Sequence, residues 1–216
     1  MKHKYVFFTG VPGSKWSGVV RRIYVHSIGV DTSDFSNEKT YYHDASGRQM
    51  LAHFGAYFDP DMEFGKEFRE MNLMSKKDLE EEFDRPFSST DSDDVRIIKS
   101  HSFAYHLDFI KDTWPECPIV ISEAPDDECL KWWIRCGGFD ITYPDYRYYR
   151  DIDTMAQHIA MQNDAIRRFI VDNDVMEIES GIQLLKYLGI ESYDTNIQEY
   201  YKMNIKVYTY WSKYNG

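Results

Sequence analysis

Tyr5-Val6-Phe7-Phe8-Thr9-Gly10-Val11-Pro12-Gly13-Ser14-Lys15-Trp16-Ser17-Gly18-Val19-Val20 is the stretch whose reading decides the fold. Lys4–Phe8 is a short apolar, aromatic run that stops at Thr9-Gly10, the pattern of a buried first strand. Gly10–Ser17 is rich in turn formers. After it Trp16, Val19, Val20, Ile23, Tyr24 and Ser27 recur at helical spacing, with Arg21 and Arg22 on the other side. Gly29 stands where such a helix would stop. The opening therefore reads strand, glycine-rich turn, helix. A turn so placed can aim backbone N–H groups at an anion, and the helix dipole adds to the attraction. Gly10 and Gly13 permit close backbone approach. Ser14 and Ser17 can donate hydroxyl hydrogen bonds, and Lys15 brings a positive charge. The nucleotide-triphosphatase pattern ends in Gly, Lys, then Ser or Thr. Here those places hold Lys15, Trp16 and Ser17, so the lysine is displaced by one residue and the glycine before it is missing. An ordinary strand–helix turn without a ligand is the competing reading.

Downstream, strands and helices keep alternating. Val95–Lys99 reads as a second strand, Phe103–Asp112 as a helix and Pro118–Ser122 as a third strand. Pro125 can open a helix, with Asp126 and Asp127 favourable in its first turn, running through Trp133 and ending before Gly137-Gly138. Asp151–Val171 carries Ile152, Met155, Ile159, Ile166 and Ile170 and predicts a long amphipathic helix. Val175–Ile178 is a fourth short strand. Ser180 and Gln183 have capping-box spacing and open a helix that stops at Gly189. Between Asp31 and Asp94 the periodicity weakens. Lys76–Asp84 is a short charged helix there, but no second core is evident, so the stretch reads as an insertion or acceptor-side cap on a single domain spanning residues 1–216. The alternation predicts an α/β fold with a central parallel sheet and helices on both faces. Ligands in such folds bind at the carboxyl ends of the strands. Gly10, Lys99 and Glu123 all fall at predicted strand ends, on one rim.

Composition bounds the partners. The 216 residues carry a formal net charge of −11, which repels nucleic-acid phosphates and anionic membranes over most of the surface. Neither a nucleic acid nor a membrane is expected as a partner. The three cysteines, Cys117, Cys129 and Cys136, match no zinc or redox spacing and read as buried or free thiols in a reducing compartment. No metal site is expected. No run near the N-terminus is long enough for a signal sequence or a membrane span, so the expected location is cytoplasmic. The aromatic tail, Tyr200, Tyr201, Tyr208, Tyr210, Trp211 and Tyr214, reads as core cover or as a subunit contact in a homodimer. His43 and His53 are candidates for an acceptor pocket, with surface or packing roles the plainer reading.

Two segments together resemble the cytosolic-type sulfotransferases. These transfer a sulfuryl group from 3′-phosphoadenosine 5′-phosphosulfate to an acceptor hydroxyl or amine. Their phosphosulfate loop often reads Pro-Lys-Ser-Gly-Thr-Thr. Pro12, Ser14 and Ser17 match it, while Gly13, Lys15 and Trp16 depart from it. Arg96-Ile97-Ile98-Lys99-Ser100-His101 is similar to the family's Arg-Ile-Ile-Lys-Thr-His, and Lys186-Tyr187-Leu188-Gly189 looks like its late Phe-Leu-Gly helix. The likeness runs from Tyr5 to Gly189, outside Asp31–Asp94. It implies a P-loop nucleotide-triphosphatase-like three-layer fold. It also implies that Pro12, Gly13, Ser14, Lys15, Trp16 and Ser17 hold the donor's phosphosulfate, that His101 is the general base, and that Lys99 stabilises the transferring group. Lys15 would substitute for the family's loop lysine. The acceptor would be a small molecule, a glycan or a peptide.

The likeness breaks at the donor's 3′-phosphate. Where the family has Arg-Asn-Pro this chain has Glu123-Ala124-Pro125, and Lys131 stands at the place of its serine. Glu123 would repel that phosphate, and Lys131 or Arg135, one helical turn apart, would compensate. The family's late Arg-Lys-Gly is not visible. Two further functions compete: a P-loop kinase or nucleotide triphosphatase with Glu123 as a metal-side acid, and a non-catalytic P-loop protein that has lost the donor site.

Overall fold

The computed structural model describes residues 3–34, 40–43, 49–52, 54–58, 68, 70–89, 93–135, 151–192 and 205–209. β1 (Tyr5–Gly10) is buried along its whole length. The chain continues as α1 (Trp16–His26), β2 (Ser27–Ile28), β3 (Thr40–His43), β4 (Gln49–Ala52) and β5 (Ala56–Tyr57). A 3-10 turn at Met71–Leu73 leads to α2 (Lys76–Asp84) and β6 (Arg96–Lys99). A second 3-10 turn at Ser102–Tyr105 precedes α3 (Leu107–Thr113), β7 (Ile119–Ser122) and α4 (Asp126–Arg135). Then come α5 (Ile152–Asp172), β8 (Met176–Glu177), α6 (Gly181–Tyr187), β9 (Glu191–Ser192) and β10 (Ile205–Tyr208).

Six strands form the main sheet in the order β5-β6-β1-β7-β10-β8. β5, β6, β1 and β7 are parallel neighbours, and β10 runs antiparallel to both β7 and β8. The fold is thus α/β with a mostly parallel sheet. Successive side chains of β1 point to opposite faces, as a pleated strand requires. Tyr5 and Phe7 enter one core with Ile98, Ile119, Ile121 and the apolar stripes of α2, α3, α4 and α5. Val6 and Phe8 enter the other with Ile97, Val120, Val207 and the stripes of α1 and α6. Both faces of the sheet are therefore covered, which is why its strands read as apolar runs.

Two sequence expectations need correction, and the packing of a third stretch can be added to them. The sheet is not wholly parallel, because β10 inserts between β7 and β8. Its alternating burial puts Ile205 and Val207 into the core while Lys206 reaches Glu177 at 2.9 Å. That part of the aromatic tail is a strand inside the sheet; the other tail residues singled out above lie outside the described residues. The helix expected over Phe103–Asp112 is broken at His106, whose backbone leaves the helical region at φ −128°, ψ 19°. Its N–H bonds back to the Phe103 carbonyl, three residues away, closing a tight turn before α3 begins. Finally, the Asp31–Asp94 stretch contributes to the body of the fold. Ala56 and Tyr57 extend the sheet beside β6, and Phe58, Phe68, Met71, Leu79, Phe83 and Phe87 are buried in the first core. Phe83 lies edge-on to Phe7, ring centroids 5.5 Å apart, so this stretch packs directly on β1.

The amino end of β6 is pinned by charge. Arg96 is buried, and its guanidinium donates to Asp31 at 3.1 Å and to Asp84 at 2.6 Å. Burial alone would raise the Asp84 pKa, but hydrogen bonds from Lys4, Arg96 and Tyr5 hold it below the usual carboxylate range. Among the described residues no helix is long and apolar enough to cross a membrane.

Candidate functional site

The register of the parallel strands brings their carboxyl ends together. Phe8 is paired with Lys99, and Gly10 with Ser122. Gly10, Lys99 and Glu123 therefore share one rim, as the sequence order predicts.

Val11-Pro12-Gly13-Ser14 closes as a turn, with the Ser14 N–H donating to the Val11 carbonyl at 3.0 Å. Pro12 at its second position and Gly13 at its third, φ +82°, are what a type II turn demands. Gly13 is also fixed by space. A Cβ built there overlaps the carbonyl oxygen of Cys129 and stands 2.8 Å from its carbonyl carbon. The loop is thus seated on α4. Lys15 follows in the left-handed region at φ 68°, ψ 13° and is the N-cap of α1. It supplies no side-chain cap, and the first turn of α1 holds no acidic residue. By contrast α2, α5 and α6 are capped by Ser75, Asp151 and Ser180. The Gly18 N–H turns back to the Lys15 carbonyl at 3.1 Å, so the N–H groups of the helix start before Gly18 are the donors left for an anion. Beside them, the Ser14 hydroxyl is buried and has no hydrogen-bond partner among the described residues. A buried hydroxyl left in that condition costs about 1–3 kcal/mol.

His101 completes the contact between the two predicted segments. Its Nδ1–H donates to the Gly10 carbonyl. A carbonyl can only accept, so this bond fixes the tautomer and leaves the lone pair on Nε2. The Trp16 indole stacks on the imidazole with centroids 4.3 Å apart, and Tyr57 stands edge-on to both rings. Burial pushes the His101 pKa down to about 4; the Gly10 bond opposes this, and the Lys99 charge adds to it. The imidazole is therefore neutral at physiological pH. Lys99 is fully buried, with its ammonium 5.3 Å from the Tyr57 ring centroid and 5.8 Å from that of Trp16.

The cationic candidates on α4 part company. Lys131 is exposed and pairs with Asp127 at 2.7 Å. Arg135 and Lys15 both lie over Trp132, at 5.4 and 4.4 Å from its ring centroid. Glu123 is held by Arg167 at 3.6 Å and Lys206 at 3.4 Å, so its charge is internally balanced. Asp126 takes a shorter bond from Arg167, 2.6 Å. Burial raises the thiols of Cys117 and Cys129 to about 12, which makes both poor nucleophiles. Cys136, His53 and the side chain of His43 lie outside the described residues, and among those described no group of His, Cys, Asp and Glu is placed to hold a metal ion.

Sequence reasoning missed four residues here. Tyr57 and Trp132 are aromatic partners of the predicted site. Gln162 and Asn163 are buried on α5, where Gln162 donates to the His101 carbonyl at 3.1 Å and Asn163 to the Ala124 carbonyl at 3.1 Å. The signal for the last two was present: they interrupt the apolar stripe between Ile159 and Ile166 at core spacing. Comparison of the chain with known protein families, curated proteins and solved structures gives no match.

Proposed function

We propose that the Gly10–Ser17 loop binds the phosphosulfate of 3′-phosphoadenosine 5′-phosphosulfate and that the protein transfers its sulfuryl group to an acceptor hydroxyl or amine. One observation carries this reading: the imidazole of His101 is hydrogen-bonded to the carbonyl of Gly10, the first residue of the loop. The imidazole, whose Nε2 keeps the free lone pair, is thereby tied to the loop proposed to hold the anion. In the reaction the acceptor atom bonds to sulfur as the bond from sulfur to the bridging phosphate oxygen breaks. The leaving 3′-phosphoadenosine 5′-phosphate keeps that bond's electrons, and the acceptor's proton passes to His101 Nε2. Lys15 and the N–H groups of α1 offset the charge that builds on the leaving phosphate, and Lys99 stabilises the transferring group. An imidazole of pKa about 4 is a weak base, but an anion bound in the adjacent loop raises it toward its working range.

The fit to the donor is uneven. The loop half is matched by the Ser14 hydroxyl, which has no hydrogen-bond partner among the described residues, and by a helix start without a side-chain cap. The 3′-phosphate half is not matched at Glu123 or Lys131, both engaged in ion pairs. The same pairs of Glu123 weigh against its service as a metal-side acid in a kinase or nucleotide triphosphatase. Trp16 stacked over His101 favours a second reading, an anion-binding protein that performs no transfer.

Thermal shift with millimolar 3′-phosphoadenosine 5′-phosphate, compared with ATP plus magnesium, tests the proposal. The expected result is a rise in Tm with the former, with His101→Ala abolishing sulfuryl transfer while retaining the shift. No shift with 3′-phosphoadenosine 5′-phosphate overturns the donor assignment. A shift without transfer to any acceptor in a broad panel selects the second reading.

A further inference from the structure

Trp132 has no role in the function proposed above. It follows Cys129 by three residues on α4, hence on nearly the same helix face. Cys129 is the residue against which Gly13 is seated. Trp132 accordingly stands next to the loop. Its neighbour Trp133 is a core residue at 5% exposure, whereas Trp132 is only half-buried. Lys15 and Arg135 converge on the Trp132 ring, and among the described residues neither forms an ion pair with a carboxylate. Other cations of this region do: Lys131 with Asp127, Arg167 with Glu123 and Asp126, Lys206 with Glu123 and Glu177. In a chain of net charge −11, two such cations on one indole mark an aromatic patch, with the exposed Glu128 one helical turn away on α4.

We propose that Trp132, with Lys15 and Arg135, is the platform for a planar aromatic ring carried on the same anion that the loop holds. The ligand class is an aromatic ring joined to a phosphate or sulfate, the anion lying on the loop and the ring against the indole. Lys15 belongs to both halves, since it stands at the N-cap position of α1 and lies over the Trp132 ring. An aromatic face gains from stacking, and the flanking cations favour an anionic ligand over a neutral one. This inference rests on the anion-loop half of the proposed function and not on sulfuryl transfer.

The experiment is calorimetric titration at fixed ionic strength of wild type, Trp132→Leu and Trp132→Phe with four probes: AMP, phenyl phosphate, ribose 5-phosphate and inorganic phosphate. Wild type is expected to bind AMP or phenyl phosphate about tenfold or more tightly than the probes without a ring, the range that one stacked ring supplies. AMP over phenyl phosphate identifies a nucleobase; equal binding of the two identifies a simple aryl ester. Trp132→Leu, which keeps apolar bulk without a ring, is expected to erase the preference and leave inorganic phosphate within about twofold. Trp132→Phe is expected to restore most of the preference. Phosphate binding with no aromatic preference, or a preference that survives Trp132→Leu, overturns this inference alone. Failure of wild type to bind any probe overturns both it and the anion-loop reading.

Discussion

Gly13→Ala and Gly18→Ala are the same chemical change five residues apart, and they should act in opposite directions. At Gly13 the backbone sits at φ +82°, and the new methyl meets the Cys129 backbone of α4. The left-handed conformation alone costs an L-residue about 1–2 kcal/mol. The overlap is with backbone on a packed helix, so it cannot be relieved by a rotamer change, and overpacking of this kind costs a further 1–3 kcal/mol or so. The total is about 2–5 kcal/mol, or roughly a 4–20 °C fall in Tm for a chain of this size. Gly18 lies in α1 with nothing within 4 Å of its would-be Cβ. There the methyl relieves the helix cost of glycine, stabilising by about 0.5–1 kcal/mol. Calorimetry of both variants is the assay, with phosphate binding as a second readout. On the proposed anion-loop reading, Gly13→Ala loses phosphate affinity through the displaced turn, whereas Gly18→Ala keeps it. A Gly13→Ala protein that melts within about a degree of wild type would refute the seating of the loop on α4.

Two other outcomes follow from charges buried in the fold. The His101 pKa is depressed in the folded protein, from about 6.5 to about 4, so the unfolded state binds the proton first as pH falls. Its contribution to stability is full above about 6.5, declines as pH drops toward 4 and is then gone, at most about 3 kcal/mol. The difference in unfolding free energy between wild type and His101→Asn should therefore shrink across that window, and an imidazole titrating near 6.5 by NMR would contradict the buried Gly10 bond. Arg96→Met should cost about 3–5 kcal/mol, because Asp31, itself 3% exposed, loses its charge partner. Adding Asp31→Asn should recover part of that loss in urea titrations, and strict additivity of the two changes would speak against a buried pair.

The sequence by itself determined the parts of this protein whose physics is local. Val6 and Phe8 alternate with Tyr5 and Phe7, and a strand buried on both faces needs that run. The spacing of Val19, Val20 and Ile23 specified α1, and the charged run Lys76–Asp84 specified α2 with the same bounds found in the structure. Pro12 and Gly13 specified the turn between β1 and α1, and strand order placed Gly10, Lys99 and Glu123 on one rim. What tertiary structure decided was partnership. Ile205–Tyr208 is four residues in an aromatic tail, too short to declare itself, and became a strand because the edge of β7 offered unpaired backbone groups and Glu177 and Glu123 received Lys206. Glu123, which in sequence reads as a charge opposing a phosphate or as a metal-side acid, is neutralised by Arg167 and Lys206 from elements more than forty residues away. His101 takes its tautomer from a carbonyl ninety-one residues distant. Periodicity reports which face of an element is apolar; it carries no information about which charge on another element will meet it, and at this rim those meetings set the charge balance.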